Sequence, residues 1–200
     1  MGDGEDETID RVVGYVLAAR KNDRGATARI RAGMNPQTEN RAYADILPLL
    51  PQVGGRDTET AYLRAAALIA AHPEIGQLQG HRRPIGASFR RFSMDLASGR
   101  GAANPLEVDA GNPDSIATRL GQLPNQDLDA ATLTFNRVLT LGDGLGVQID
   151  YFNLTRTLLK WGHGVTSASI EVRRQPLRDY YRYRGVDATT EQSQSQKEDA

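Results

Sequence analysis

Apolar side chains recur every three or four residues along this chain, and this spacing favours a helical fold. One series follows steps of four, three, four and three, and its members are Val147, Tyr151, Leu154, Leu158 and Trp161. A second series precedes it and consists of Leu128, Thr132, Phe135 and Leu139. Each series lies on one face of a helix. Because no segment alternates convincingly as a strand would, we predict an all-α fold, a single compact bundle of about nine helices.

Caps and helix breakers indicate where the helices begin and end. Further helices are predicted at about 8–21, 24–33, 39–50, 58–71, 86–97 and 114–122. Asp23 and Asp57 are placed to act as N-caps of two of them. Pro176 is predicted to end one helix near Arg174 and to open another that closes at Gly185.

The length of 200 residues favours one domain. We predict an acidic, flexible N-terminus at 1–7, a helical domain at 8–185 and a disordered polar and acidic tail at 186–200. No run of 18 apolar residues occurs, and the N-terminal segment is acidic, so neither a membrane span nor a signal peptide is predicted. Because the chain has no cysteine, disulfides and thiolate metal sites are excluded. A cytoplasmic protein is expected.

No catalytic motif emerges from the sequence. His72, His81 and His163 stand apart, without the spacing that puts two ligands on one helix face, and His72 is better placed to cap a helix end. The GDGLG segment at 142–146 follows a helical pattern instead of a strand, so we interpret it as a connection between helices. We therefore predict no catalytic residue, no metal, no cofactor and no enzymatic activity.

Charge is segregated along the chain. Of its 25 acidic residues, five lie in 1–10 and four in 185–200, and only one of its 24 basic residues, Lys197, lies in those two segments. The body at 11–184 therefore has 16 acidic and 23 basic residues, a net charge of about +7. All but three of the 24 bases are arginine, which binds phosphate with two parallel hydrogen bonds. This body suits a polyanionic partner such as nucleic acid.

The basic residues form four clusters in the sequence. They are Arg20, Lys21, Arg24, Arg29 and Arg31; Arg82, Arg83, Arg90 and Arg91; Arg156 and Lys160; and Arg173, Arg174, Arg178, Arg182 and Arg184. Tyr180 and Tyr181, beside the last cluster, either stack on bases or complete the edge of the core. Two alternatives stay open: a protein-interaction scaffold whose arginines bind acidic partners, and a nuclease that uses His81 or His163.

Four segments in a fixed order carry a family resemblance. RGATARIRAG has Gly25, Ala28, Ile30 and Arg31; IGASFRRF has Gly86, Ser88 and Arg91; TFNRVL has Arg137; and YFNLTRTLLKW has Arg156 and Trp161, followed by the basic RRQPLRDYY. This order over about 8–184 resembles the small subunit of the type I-E CRISPR surveillance complex, Cascade (the CasB family). The chain departs from the family at Ala32, where a second arginine is common.

The resemblance implies an all-α, non-catalytic subunit that binds the nucleic-acid backbone without sequence preference. Its implied partners are the CRISPR RNA, the target and non-target DNA strands, the Cascade backbone subunits and large subunit, and a second copy of itself bound head to tail. In such complexes base pairing reads the sequence, and the protein supplies charge and shape. The predicted contact residues are Arg24, Arg29, Arg31, Arg91, Arg119, Arg137, Arg156, Lys160, Arg173 and Arg174.

Overall fold

A computed structural model describes residues 3–52, 55–80, 82–99, 113–162 and 166–183. Within these ranges nine α-helices form a helical fold with two short strands, which confirms the predicted all-α class. The helices are α1 (Asp3–Asn22), α2 (Arg24–Arg31), α3 (Tyr43–Ile46), α4 (Arg56–Ala71), α5 (Ile85–Gly99), α6 (Ser115–Leu120), α7 (Leu128–Thr140), α8 (Tyr151–Leu159) and α9 (Ser167–Arg182). None of these helices is long and apolar enough to cross a membrane. The predicted tail at 186–200 and the predicted helix end at Gly185 lie outside the described residues.

Helix α4 runs through the centre of the core. Every residue from 61 to 70 is buried, and α1, α2, α7 and α8 all pack against it. Six alanines between 61 and 71 keep this helix thin, so its neighbours approach closely on several sides. Phe89, Phe135 and Trp161 extend the core: the first two rings stack at 5.8 Å, and Trp161 meets Phe135 edge to face at 5.7 Å.

Helix α1 begins earlier than the sequence predicted. It starts at Asp3, so the predicted flexible segment 1–7 is helical where the structure describes it. The reason is tertiary: Asp6, in the first turns of the helix, forms an ion pair with Arg156 of α8. The Thr8 hydroxyl also donates to the carbonyl of Gly4 across one turn, at 2.8 Å.

The predicted caps have different outcomes. Asp23 is the N-cap of α2 and accepts a hydrogen bond from the amide of Ala26, as predicted. The N-cap of α4 is Gly55, so the prediction that Asp57 caps this helix was wrong. Asp57 lies instead in the first turn, where a carboxylate favourably meets the positive end of the helix dipole.

Two predicted helices are shorter or less regular than expected. The predicted helix at 39–50 consists of the four-residue α3 flanked by 3-10 turns at Glu39–Ala42 and Leu47–Leu49, and Pro48 opens the second turn. Helix α8 starts only at Tyr151 because Asp150 caps it. Val147 therefore lies before the helix, next to strand β2 (Gln148–Ile149), which pairs in parallel with β1 (Gly76–Gln77).

Pro176 does not divide the last helix, so that prediction was wrong. Helix α9 continues through it, and the proline is buried against α5. The contact is closest at Gly86, where a Cβ atom would overlap the carbonyl oxygen of Pro176. Packing of the two helices at this point offsets the hydrogen bond that a proline cannot donate.

Candidate nucleic-acid interface

Four of the predicted contact arginines are exposed on three different helices. Arg24 and Arg31 lie at the two ends of α2, Arg137 lies on α7, and Arg174 lies on α9. Among the described residues none of the four has a side-chain hydrogen bond or ion pair. Their guanidinium groups are therefore available to phosphate groups of a bound polyanion.

Arg29, on the same helix as Arg24 and Arg31, has a carboxylate partner. Its Nε donates to Oδ2 of Asp45 at 2.8 Å and its Nη2 to Oδ1 at 2.9 Å, and the Tyr15 hydroxyl adds a third bond at 3.1 Å. The side chain of Asp45 is only 6% exposed, whereas that of Arg29 is 50% exposed. The Arg29 guanidinium holds the pKa of the Asp45 carboxyl below its usual range. Arg29 thus fastens α2 to α3 while one side of its guanidinium faces solvent.

Arg173 is buried, unlike its neighbour Arg174. Its guanidinium donates to the carbonyl oxygens of Trp161 at 3.3 Å and Gly162 at 2.9 Å, which follow the end of α8. Unsatisfied carbonyls at a helix C-terminus attract cations. The prediction named both residues of this pair; the structure corrects it for Arg173, because only the side chain of Arg174 is exposed.

Two more predicted residues bind groups on their own helix. Arg91 is exposed on α5 and pairs with Asp95 one turn later, at 3.3 Å. Arg119 is half-buried on α6 and donates to the carbonyl of Ser115 at 2.6 Å. Such local, solvent-exposed contacts are weak and do not prevent either side chain from turning toward a phosphate.

Arg156 belongs to a cluster that the sequence-based site left incomplete. Arg82 and Arg156 both lie over the ring of buried Phe152, with their guanidinium carbons 3.5 and 4.6 Å from its centroid. Arg82 donates to Asp10 at 2.6 Å, and Arg156 is paired with Asp6. We call these five residues the Phe152 cluster. Arg82 was recognised as basic but not predicted as a contact residue, because its partner Asp10 is 72 residues away in the sequence and no local pattern joins the two.

A groove between α8 and α9 extends from this cluster. It has a volume of about 290 Å³, and Arg156 and Lys160 line its α8 side. Its α9 side carries Glu171, Gln175 and Asp179. Burial raises the pKa of the Asp179 carboxyl, and Glu171 is paired with Arg178. The α8 side is therefore the side that attracts phosphate.

Tyr180 is not available to stack on bases. It is fully buried, and its hydroxyl donates to Asp114, the N-cap of α6. Tyr181 meets its ring edge to face at 5.6 Å and remains 36% exposed. Of the two open interpretations, the core-edge one therefore holds for Tyr180.

Histidine and carboxylate groups in the described ranges do not assemble into a metal site. His72 closes α4 as predicted, and its ring nitrogens contact Asp143 at 3.1 Å and Asn136 at 2.9 Å. These contacts tie α4 to α7 and to the loop after it. His81 and His163, the candidates for the nuclease alternative, lie outside the described residues.

Comparison with known proteins decides the family. Residues 24–181 match the family model described as CRISPR-associated protein Cse2. The chain belongs to the Cse2 family. This confirms the resemblance found in the sequence. The matched segment contains Arg82 and Arg156 but begins after Asp6 and Asp10.

Solved structures show the same fold. Two chains of structures described as a CRISPR RNA-guided surveillance complex, one of them in a pre-nicking state, are each 26% identical and superpose with a TM-score of 0.65. The alignments cover 94% and 96% of this chain and 99% of each matched chain. A Cse2-family protein from Thermus thermophilus shares the fold at 21% identity and a TM-score of 0.60, over 90% of this chain and 99% of its own. A search of curated proteins found no match.

Proposed function

We propose that this chain is the small subunit of a type I-E CRISPR Cascade complex. In this role it is non-catalytic, binds the nucleic-acid backbone without sequence preference, and stabilises the R-loop formed when CRISPR RNA pairs with the target strand. Membership in the Cse2 family, together with 26% identity to chains of surveillance-complex structures, carries the proposal.

The distribution of arginine supports backbone binding over base reading. The exposed guanidinium groups lie on separate helices, so they are suited to follow phosphates over a long path. Sequence reading would instead need several side chains directed from one helix into a groove. The proposed contact residues are Arg24, Arg29, Arg31, Arg91, Arg119, Arg137, Arg156, Lys160 and Arg174.

The proposal includes the assembly around the subunit. The helical domain at 8–185 would bind a second copy head to tail and would contact the Cascade backbone and large subunits in the cytoplasm. Base pairing with the guide reads the sequence, so the protein needs only to bind the backbone. The target and displaced strands would therefore both lie against basic surface.

The first test is a titration of labelled single- and double-stranded DNA and RNA with the purified full chain at low and physiological salt. Charge reversals Arg31→Glu, Arg137→Glu and Arg156→Glu each remove one proposed phosphate contact. Arg56→Glu is the matched control, since Arg56 is exposed on α4 and is not among the proposed contacts. Circular dichroism verifies that each variant keeps its helices.

We expect binding that is indifferent to sequence and that weakens with salt by a log–log slope of about 0.7 to 0.9 per phosphate contacted. The three reversals should lower affinity and slope, and Arg56→Glu should have a smaller effect. Reconstitution with the other Cascade subunits should then show less stable R-loops for the same variants. Absence of binding at any salt, together with unchanged R-loops, would favour the protein-interaction scaffold.

A further inference from the structure

The Phe152 cluster joins acids from α1 to two arginines that the chain brings from distant positions. Asp6 and Asp10 are one helical turn apart and face the same side of α1. Their partners Arg156 and Arg82 are 150 and 72 residues away along the chain. Both ion pairs therefore form only in the folded chain, with α1 packed in its observed position.

The two guanidinium groups are held in place by more than their acidic partners. The ring of Phe152, only 3% exposed, lies beneath both. The Arg82 guanidinium also lies 3.8 Å from the buried carboxylate of Asp150, which caps α8. Neutralising Asp6 and Asp10 would therefore free the outer hydrogen-bonding groups of both arginines without releasing the arginines themselves.

Both ion pairs lie at the surface. The side chains of Arg82 and Asp10 are 48% and 58% exposed, and those of Arg156 and Asp6 are 32% and 51% exposed. Exposed pairs of this kind are weak and readily exchanged. A phosphodiester group carries a single negative charge, as does the carboxylate it would replace, and it likewise offers two oxygens that accept hydrogen bonds from arginine.

We propose that Arg82 and Arg156 form a binding site for consecutive phosphates of a nucleic-acid strand, and that Asp6 and Asp10 occupy this site in the free subunit. The α1 carboxylates act as a built-in competitor: a strand must displace them to bind. Lys160 continues the site along the groove between α8 and α9. This inference rests on the proposed function, and it adds Arg82 to the contact residues and an inhibitory role for α1.

The test compares two double variants with the same change of net charge on the same helix. Asp6→Asn with Asp10→Asn removes the two competitors. Glu5→Gln with Glu7→Gln is the control, because these neighbouring carboxylates have no ion-pair partner among the described residues. Both variants remove two negative charges from α1, and exposed ion pairs contribute little to stability, so thermal unfolding of the two should be similar.

We measure Kd for a labelled single-stranded oligonucleotide with the full chain at low salt. Asp6→Asn/Asp10→Asn should lower Kd about threefold to tenfold relative to the wild type, which corresponds to the loss of two exposed ion pairs. Glu5→Gln/Glu7→Gln should produce a much smaller change. In a chain that also carries Arg82→Ala and Arg156→Ala, the Asp6/Asp10 replacements should increase affinity no more than the Glu5/Glu7 replacements do.

Equal gains for the two double variants would mean that overall charge, and not the ion pairs, governs binding, which would overturn the inference. The inference would also be overturned if the wild type bound and Asp6→Asn/Asp10→Asn did not increase affinity, or if these replacements gave the same gain without the two arginines. If neither the wild type nor any variant binds nucleic acid at low salt, backbone binding by the isolated subunit fails, and the inference that rests on it fails with it.

Discussion

At the scale of single residues, Arg29 illustrates an arginine whose structural partner is clear. Arg29→Ala would leave the Asp45 carboxylate, 6% exposed, without its two guanidinium hydrogen bonds. A buried charge that loses its partner is costly, so we expect Arg29→Ala to unfold at a lower urea concentration than the wild type. Urea denaturation followed by circular dichroism measures the change.

Arg24→Ala is the matched control for this prediction. Arg24 lies on the same helix, is exposed and has no side-chain partner among the described residues, so the free energy of unfolding should change by less than about 0.5 kcal/mol. Nucleic-acid affinity should nevertheless fall. If both variants unfold at the same urea concentration as the wild type, the Arg29–Asp45 contact does not stabilise the fold.

The same pair predicts how stability depends on pH. Because Arg29 lowers the pKa of Asp45 in the folded chain, the unfolded chain binds a proton more readily. The stabilisation is therefore complete above the unfolded pKa of about 3.9 and is lost as the pH falls through the lower folded pKa. Asp45→Asn should unfold more easily at pH 6 and should lose less further stability between pH 5 and 3 than the wild type does. Parallel pH curves for the two proteins would contradict this.

The sequence indicated that the body of the chain is basic, but it did not indicate which arginines form ion pairs or hydrogen bonds within the fold. Arg82 and Asp10 are 72 residues apart, and Arg64 donates to Asp129 from 65 residues away. Ion pairs of this kind depend on tertiary packing, and no local pattern contains them. For Arg173 the burial could not be predicted either, since its acceptors are carbonyls of the turn after α8.

At the scale of helices, the junction of α5 and α9 depends on one glycine. A Cβ at Gly86 would overlap the carbonyl oxygen of Pro176 and lie 2.9 Å from Cβ of Asp179. Because the obstacle is backbone, the helices must move apart. We expect Gly86→Ala to lower the free energy of unfolding by about 3 kcal/mol, measured by urea denaturation.

Gly14→Ala provides the comparison. Gly14 is an exposed interior residue of α1 with no atom within 4 Å of the added Cβ, so alanine should stabilise the chain by about 0.5–1 kcal/mol. Opposite signs for the two variants would identify contact, and not helix propensity, as the reason for glycine at 86. A stabilised Gly86→Ala would show that α5 and α9 do not pack as described.

Substitutions of two adjacent arginines on α9 should have different effects, one on stability and the other on nucleic-acid binding. Arg173→Ala removes hydrogen bonds to the carbonyls of Trp161 and Gly162, so it should lower the free energy of unfolding by about 1.5–3 kcal/mol. Arg174→Ala should leave the unfolding transition unchanged and weaken binding of single-stranded DNA. Equal stability losses in thermal and urea denaturation would mean that the two side chains share a structural role.

Periodicity predicted regular helices well and irregular ones poorly. The series from Leu128 to Leu139 corresponds almost residue for residue to α7. The prediction of a helix end at Pro176 was wrong because local rules do not include tertiary contacts. Close packing of Pro176 against Gly86 stabilises α9 as one continuous helix. The early start of α1 has a similar reason, since Asp6 is held by a residue of α8.

At the scale of the whole molecule, opposite charges are kept apart in sequence and meet in the fold. The acidic start of the chain lies on α1, and α1 packs against α8, which carries Arg156 and is followed directly by Lys160. The order of four short motifs was sufficient to predict the family, because motif order reflects the arrangement of helices. Which exposed arginines form one path depends on tertiary positions, which no motif contains.

The acidic residues of the other end yield the last prediction. Residues 186–200 carry Asp187, Glu191, Glu198 and Asp199 against Lys197, so a chain ending at Gly185 changes from a net charge of −1 to +2. Less repulsion of phosphate should increase affinity for any single strand by about two- to fivefold at low salt, and the gain should vanish at high salt. A full-length chain with these four acids replaced by Asn or Gln has a net charge of +3 and should bind at least as tightly if charge is the cause. A gain in the shortened chain alone would assign the effect to the length of the segment, and no gain in either would show that these acids do not oppose binding.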